Sequence, residues 1–254
     1  MTDRAAQAIA FRELHRGGNP IVLFNIWDAG SAKAVAASGA KALATGSWSV
    51  AAAHGFEDGE KLPLQLAIEN LRRIVAATSL PVTVDLESGY GDIASTVRQA
   101  VAVGAIGFNF EDGRLGTTEL HSIADQAARL RDARAAADAT LRGVFINART
   151  DIFLKANANT HSDRMVDHAL ERAQAYAQAG ADGFFVPGLI DPAKIARICK
   201  ECPLPVNVMA STAMNVRELA SLGVARVSYG PHPYRLAMSA LQEAAARAIG
   251  GAGT

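Results

Sequence analysis

The chain has 254 residues, 25 basic and 25 acidic side chains, a formal net charge of zero, and half of its residues hydrophobic. This composition describes a globular chain, excludes disorder over most of its length, and leaves no basic surplus to neutralise nucleic-acid phosphates or hold an anionic membrane. No apolar run reaches the roughly 18–20 residues of a membrane-spanning helix, and Asp3, Arg4 and Gln7 break the start where a signal peptide is continuously apolar, so a cytoplasmic location is expected.

In chain order, residues 3–16 predict a leading helix that closes the floor of whatever follows. Short β-branched or apolar runs then alternate with longer segments of helical period. The strands are read at 21–28, 41–47, 81–87, 105–111, 142–150, 183–188, 205–209 and 226–229. Leu64, Ile68, Leu71, Ile74 and Val75 form one face of the helix after the second strand. Alanine-rich helices are predicted over 125–137 and 164–179, and a last helix over 234–249. Eight strand–helix units in about 250 residues match a (β/α)8 TIM barrel, with the extra N-terminal helix in front, and no Pro- or Ser-rich linker divides it, so residues 1–254 read as one domain. A doubly wound open sheet is the competing architecture. It is disfavoured because the first strand–helix turn, Asp28-Ala29-Gly30-Ser31, carries neither dinucleotide- nor P-loop glycines.

A parallel barrel places its chemistry at the C-terminal strand ends, and polar residues collect there: Trp27-Asp28, Thr45-Gly46-Ser47, Asp85-Leu86-Glu87, Glu111-Asp112 and Asn147-Ala148-Arg149-Thr150-Asp151. Asp85 and Glu87, two apart on a strand, share a face, and Glu111 ends the next strand. Converging carboxylates repel, and an oxygen-only set suits Mg2+ or Mn2+. The planar fork of Arg149 fits a substrate carboxylate or phosphonate, with Asp151 either orienting it or touching substrate. His54 and His121 fall in loops on the active-site side and His232 follows the eighth strand, whereas His161 and His168 read as surface residues. Cys199 and Cys202 form a lone C-x-x-C pair near a helix end, too few ligands for a closed zinc site.

Four segments, Phe24-Asn25-Ile26-Trp27-Asp28-Ala29-Gly30-Ser31-Ala32, Val84-Asp85-Leu86-Glu87-Ser88-Gly89-Tyr90-Gly91, Asn109-Phe110-Glu111-Asp112 and Ile146-Asn147-Ala148-Arg149-Thr150-Asp151, together resemble the isocitrate lyase and phosphoenolpyruvate mutase superfamily. The resemblance implies that Asp85 and Glu87 hold Mg2+ directly or through water, with Asp58 and Glu111 in the outer shell. It also implies that Arg149 contacts the substrate, and that Thr45-Gly46-Ser47 grips the carboxylate of a 2-oxo acid or its enolate. Trp27 and Ser211 complete the expected substrate-binding set. Glu87 stands where the family usually has aspartate, one methylene shorter.

Three departures from the pattern bear on the reaction. The K-[KR]-C-G-H loop of the lyases, with its catalytic cysteine, is replaced by residues 113–122, which read Gly-Arg-Leu-Gly-Thr-Thr-Glu-Leu-His-Ser. The lyase glutamate and asparagine positions fall at Phe185-Val186-Pro187-Gly188 and Met209, and the P-K-x-N-S loop of the mutases is missing. A branch near the phosphonomutases but lacking the lyase loop is expected. Its leading activity is Mg2+-dependent cleavage of a C–C bond beside the 2-oxo or 2-hydroxy carbon of a small acid through an enolate, in the manner of oxaloacetate decarboxylase or methylisocitrate lyase. C–P chemistry on phosphonopyruvate or phosphoenolpyruvate is one alternative, and a non-catalytic 2-oxo-acid binder is another. The loop 113–122 is read as a mobile lid whose acid or base is His121 or Glu119. A homo-oligomer, dimer or tetramer, is implied by the superfamily's exchanged C-terminal helix, although Thr254 follows that helix closely.

Overall fold

The computed structural model of the protein describes residues 3–210 and 214–250. Its frame is eight parallel strands: β1 (Ile21–Leu23), β2 (Leu43–Ala44), β3 (Val82–Asp85), β4 (Gly107–Glu111), β5 (Phe145–Arg149), β6 (Gly183–Phe185), β7 (Val206–Met209) and β8 (Arg226–Ser228). Hydrogen bonding runs in the order β1-β8-β7-β6-β5-β4-β3-β2. The remaining seam, between β1 and β2, is bridged beyond the strand ends, where Ile26 N–H donates to Ala44 O at 2.9 Å and Gly46 N–H to Ile26 O at 3.3 Å. The result is the expected TIM-type barrel, nearly closed.

Helices wrap it in alternation: α1 (Arg4–Glu13), α2 (Ala29–Ala37), α3 (Ser47–Ala53), α4 (Leu64–Ala76), α5 (Ile93–Val103), α6 (Ile123–Thr140), α7 (Asp163–Gln178), α8 (Pro192–Glu201), α9 (Val216–Ser221) and α10 (His232–Gly250). Local chemistry sets their starts. Asp3 caps α1, Asp28 and Ser31 form a reciprocal capping box on α2, and Asp92, Ser122 and Asp191 cap α5, α6 and α8. The main apolar core lies between sheet and helices. A second cluster, in which Ala8 and Phe11 of α1 meet Ile21, Leu23, Ala42, Ile106 and Phe145, closes the barrel floor as the leading helix predicts.

Two boundaries differ from the sequence expectation. Strands are shorter than their apolar runs: β1 stops at Leu23, so Trp27 is not a strand residue, and Asp28 caps a helix instead of ending a strand. Residues 46–47 likewise start a helix, with Gly46 as the N-cap of α3. A rapid return into a helix satisfies the backbone where the sheet no longer does.

The last helix stands apart. Within α10 only Pro233 is buried, and Leu236 and Leu241 are 66% and 62% exposed. Val22 and Phe24, on the outer side of β1, are also left open, beside a groove of about 680 Å3 between α1 and α2. The two thiols are half-buried at the end of α8, and burial pushes Cys199 up to about 12 and Cys202 to about 11, so neither forms a reactive thiolate near neutrality. No helix among the described residues is long and apolar enough to cross a membrane.

Candidate active site

Arg149, the last residue of β5, organises the mouth. Asp151 follows the strand and takes one edge of the guanidinium, accepting from Nε at 2.6 Å and from Nη2 at 3.2 Å. Glu111, register partner of Arg149 at the end of β4, lies 2.8 Å from Nη1, and Asp85 at the end of β3 lies 4.0 Å away. Burial opposes the Arg149 charge, but Glu111, Asp151 and Asp85 outweigh it and hold its proton above the ordinary arginine range. Of the two roles open to Asp151, orienting the arginine is the one its geometry performs.

Asp85 is fixed from three sides. Its N–H donates to Thr45 Oγ1 at 3.0 Å, its Oδ2 receives Ser47 N–H at 3.4 Å, and its Oδ1 receives Glu87 N–H at 3.3 Å. β3 ends there, so Glu87 is not a second strand residue on the same face: it is in left-handed backbone, φ 49°, within a turn where Gly89 and Tyr90 also have positive φ. At Gly89 a Cβ would come within 2.9 Å of Ile93, which excludes a side chain there. The turn carries Glu87 sideways, and its carboxylate accepts from Glu60 N–H at 2.7 Å and Tyr90 Oη–H at 2.9 Å.

Arg149 and Asp85 border a pocket of about 220 Å3. Its polar side is Ser47, Asp58, Asp85, Asn109, Arg149 and Ser228; its apolar side is Trp48, Leu154, Phe185, Pro187, Met209 and Pro231. Asp58 descends from the loop after α3. Burial raises its pKa and the Asp85 charge adds to the rise. Burial, Asp58 and Asp85 push Glu87 up to about 7, and burial pushes Glu111 up against the pull of Arg149. Three carboxylates, Asp85, Glu111 and Asp151, thus surround the Arg149 guanidinium, with Asp58 and Glu87 close to Asp85.

Among the described residues no three His, Cys, Asp or Glu side chains converge closely enough to hold a metal ion by themselves. The physical reason is visible: Arg149 occupies Glu111, and Glu87 is turned to Glu60 and Tyr90. The donor set nevertheless fits a hard divalent cation, because Mg2+ commonly takes one or two carboxylates and keeps its waters, and the uncompensated negative charge around Asp85 is what such an ion relieves. Asp85 and Asp58 border the pocket and suit that role; Glu87 lies behind Asp85, and Glu111 behind Arg149.

Other expected contacts are redistributed. Gly46 and Ser47 border the pocket, but the Gly46 N–H closes the barrel seam and the Ser47 N–H serves Asp85, so neither is a free anion donor. Thr45 is buried beneath, positioning β3. Trp27 is not on the pocket; its ring meets Tyr234 edge-on at 5.1 Å, and Trp48 supplies the aromatic wall instead. Ser211 lies outside the described residues. Glu119 and His121 border a separate cleft with Glu60, Ser88 and Arg129. Their loop is tied down: Gly113 bridges Leu120, Glu119 pairs with Arg114 at 2.9 Å, and Lys155 Nζ donates to the carbonyls of Arg114, Thr117 and Glu119 at 2.7–3.2 Å. His232 starts α10 away from the pocket lining, and His161 is half-buried with Nε2 2.9 Å from Phe153 O, whereas His168 is exposed.

Residues 11–249 match the phosphoenolpyruvate phosphomutase family over nearly the whole chain. The chain belongs to that family. A solved phosphonomutase-like protein of Burkholderia cenocepacia J2315 is 55% identical and superposes with a TM-score of 0.92 over 94% of this chain and 98% of its own. The 2-methylisocitrate lyase of Escherichia coli (strain K12) is 29% identical over 89% of this chain and 79% of its own length. A phosphonopyruvate hydrolase crystallised with oxalate and Mg2+ shares the fold, with a TM-score of 0.83 at 24% identity over 96% of this chain and 88% of its own. The superfamily is one of enzymes, with lyases and mutases among its members.

Sequence reasoning missed Asn109, Trp48 and the Glu60–Tyr90 grip on Glu87. Asn109 carries a readable signal, since it lies two residues before Glu111 on the same strand face.

Proposed function

We propose that this protein is a Mg2+-dependent enzyme that cleaves a C–C bond of a small 2-oxo dicarboxylic acid through a pyruvate-type enolate, with β-decarboxylation as the reaction. The observation that carries the reading is Arg149 held by Asp151 and Glu111 at the rim of a small pocket with an acidic side and an apolar side. Arg149 is the one cation among the described lining residues, which suits a dicarboxylate better than a tricarboxylate. The described lining also offers no histidine, cysteine or lysine. Decarboxylation asks least of such a site, because it needs neither a nucleophile nor a base to start the cleavage.

In this reading Mg2+, when bound beside Asp85 and Asp58, supplies Lewis-acid polarisation of the 2-oxygen. Arg149, already oriented, faces the charge that grows on the acid as the bond breaks, so its stabilisation costs no reorganisation during the reaction. Phe185, Pro187 and Met209 surround the leaving carboxylate with apolar surface, which disfavours its charged form and accepts neutral carbon dioxide. Asp151 and Glu111 keep the guanidinium from turning into the pocket and taking the cation's place.

The test is turnover of oxaloacetate, methylisocitrate and phosphonopyruvate with and without Mg2+. Mg2+-dependent release of pyruvate from oxaloacetate alone supports the proposal. Turnover of phosphonopyruvate alone replaces it with C–P chemistry, and saturable oxalate binding without any turnover replaces it with a 2-oxo-acid binder.

We further propose that the protein works as a homo-oligomer in which α10 packs on the open groove beside β1 of a second copy. Its exposed Leu236 and Leu241, together with the bare Val22 and Phe24, support this assembly.

A further inference from the structure

The middle of the barrel is polar where branched apolar side chains usually interlock. Asn109 of β4, Asn147 of β5, Asn207 of β7, and Arg226 and Ser228 of β8 are all buried there. Arg226 is 1% exposed and its Nε and Nη1 have no partner among the described residues, an arrangement that costs stability compared with an apolar residue of similar size. Burial lowers its pKa to about 9, and Asp85 acts in the opposite direction, so it remains a protonated donor at neutrality.

The one hydrogen bond that the Arg226 side chain makes among the described residues runs upward. Its Nη2 donates to Asn109 Oδ1 at 3.1 Å, and Asn147 Nδ2 donates to the same oxygen at 2.9 Å. A guanidinium cannot accept, so the Asn109 atom facing Arg226 is the amide oxygen by chemical necessity. Two donors then saturate that oxygen and remove the alternative amide orientation. The Nδ2 end is left without a protein partner among the described residues, and it is not one of the buried unpartnered atoms. Asn109 borders the pocket beside Asp85, its register partner on β3.

We propose that Asn109 is a substrate-recognition residue whose Nδ2–H group donates from the pocket floor to an oxygen of the bound acid, and that Arg226 is the positioning residue that keeps this donor pointing upward. The proposal deepens the functional reading above and rests on it. It explains why a charge is buried beneath an acidic site without a carboxylate in contact: the guanidinium is needed for its inability to accept. It also supplies the pocket with a neutral donor that leaves the carboxylates around Asp85 free for a cation.

The test is calorimetric titration of oxalate in saturating Mg2+, and of Mn2+ alone, on the wild type and four variants. Asn109→Asp keeps the shape and the contact to Arg226 but turns the pocket-facing donor into an anionic acceptor. Oxalate affinity is expected to fall about 10–100-fold, the range for losing a hydrogen bond to a charged group, while Mn2+ binds at least as tightly because a carboxylate has been added beside Asp85. Asn109→Ser, which can still accept from Arg226 but has no arm into the pocket, is expected to lose oxalate affinity with Mn2+ binding unchanged. Arg226→Met is expected to weaken oxalate by several-fold, and Arg226→Lys, also unable to accept, to restore most of it.

Oxalate binding by Asn109→Asp within about 2-fold of wild type overturns the assignment while leaving the functional reading intact. Parallel loss of Mn2+ and oxalate in both Asn109 variants overturns it in favour of a structural role. A wild type that does not bind oxalate in saturating Mg2+ overturns the functional reading, and the assignment with it.

Discussion

His15 makes the barrel floor sensitive to acid, and its replacement measures by how much. The ring is 7% exposed, stacked on Phe145 at 4.0 Å and edge-on to Phe11 at 4.7 Å, with Nδ1 2.9 Å from Phe11 O and Nε2 unpartnered. Burial, helped by the charge of Arg226, lowers its pKa to about 3. In the unfolded chain the same imidazole titrates near 6.5, so between roughly pH 6.5 and 3 the unfolded state binds a proton that the folded state refuses. The stability contributed by neutral His15 is therefore fully present above about pH 6.5 and is lost as pH falls, at up to ~1.4 kcal/mol per unit, reaching about 2.7 kcal/mol at pH 4.5. The carboxylates titrate over part of that window too, and a His15→Phe variant cancels their contribution. Its ring fits the same aromatic slot and takes up no proton. Urea unfolding of both proteins at pH 7.5, 5.5 and 4.5 should show the wild type losing about 2–3 kcal/mol more than the variant across the series. Parallel curves would refute the buried neutral imidazole.

Asp85→Ala should lower Mg2+-dependent turnover by about 100-fold or more at limiting metal while the melting temperature stays within a few degrees, since a mouth carboxylate serves the site and not the core; near-wild-type activity in the folded variant would remove Asp85 from the metal site. His121→Gln and Glu119→Gln should each keep kcat within about 3-fold with an unchanged pH–rate profile, because both groups face a cleft separate from Arg149; a shifted profile in either would show that the loop 113–122 delivers a proton after all. Light scattering at micromolar concentration should give a multiple of 26.6 kDa, and Leu236→Asp with Leu241→Asp should shift it toward the single-chain mass; a wild type already at that mass would exclude the exchange of α10.

The barrel was legible because alternation of strands and helices is a property of many residues at once, and errors at single positions average out. The meeting of Arg149, Asp151, Asp85 and Glu111 at the mouth was legible for a related reason: a charged residue closing an apolar strand has few places to go except the mouth. Side-chain direction beyond the strand ends was not. Glu87 follows the last residue of β3 by two, which in an extended chain would put it beside Asp85, and only its left-handed backbone sends it to Glu60 and Tyr90. Trp27 and Trp48 both meet Tyr234 edge-on, and only the place of Trp48 in the first turn of α3, next to Gly46 and Ser47, puts it on the pocket. The loop holding Glu119 and His121 looked free because its glycines permit motion, whereas Lys155, 34 residues beyond His121, ties three of its carbonyls.

The polar middle of the barrel shows where further information was available. Stepping back by two from each charged strand end gives Asn147 before Arg149, Asn109 before Glu111 and Thr83 before Asp85, all on the inward face. An ordinary barrel would fill those positions with valine or leucine, at lower cost and with tighter packing. The amides of Asn109 and Asn147 form hydrogen bonds that lead from Arg226 to the pocket floor, whereas the Thr83 hydroxyl has no partner among the described residues, so on β4 and β5 the layer beneath the mouth constrains the layer above it. Period-two reading inward from a charged strand end therefore identifies groups that orient a site, while the charges themselves identify only where it opens.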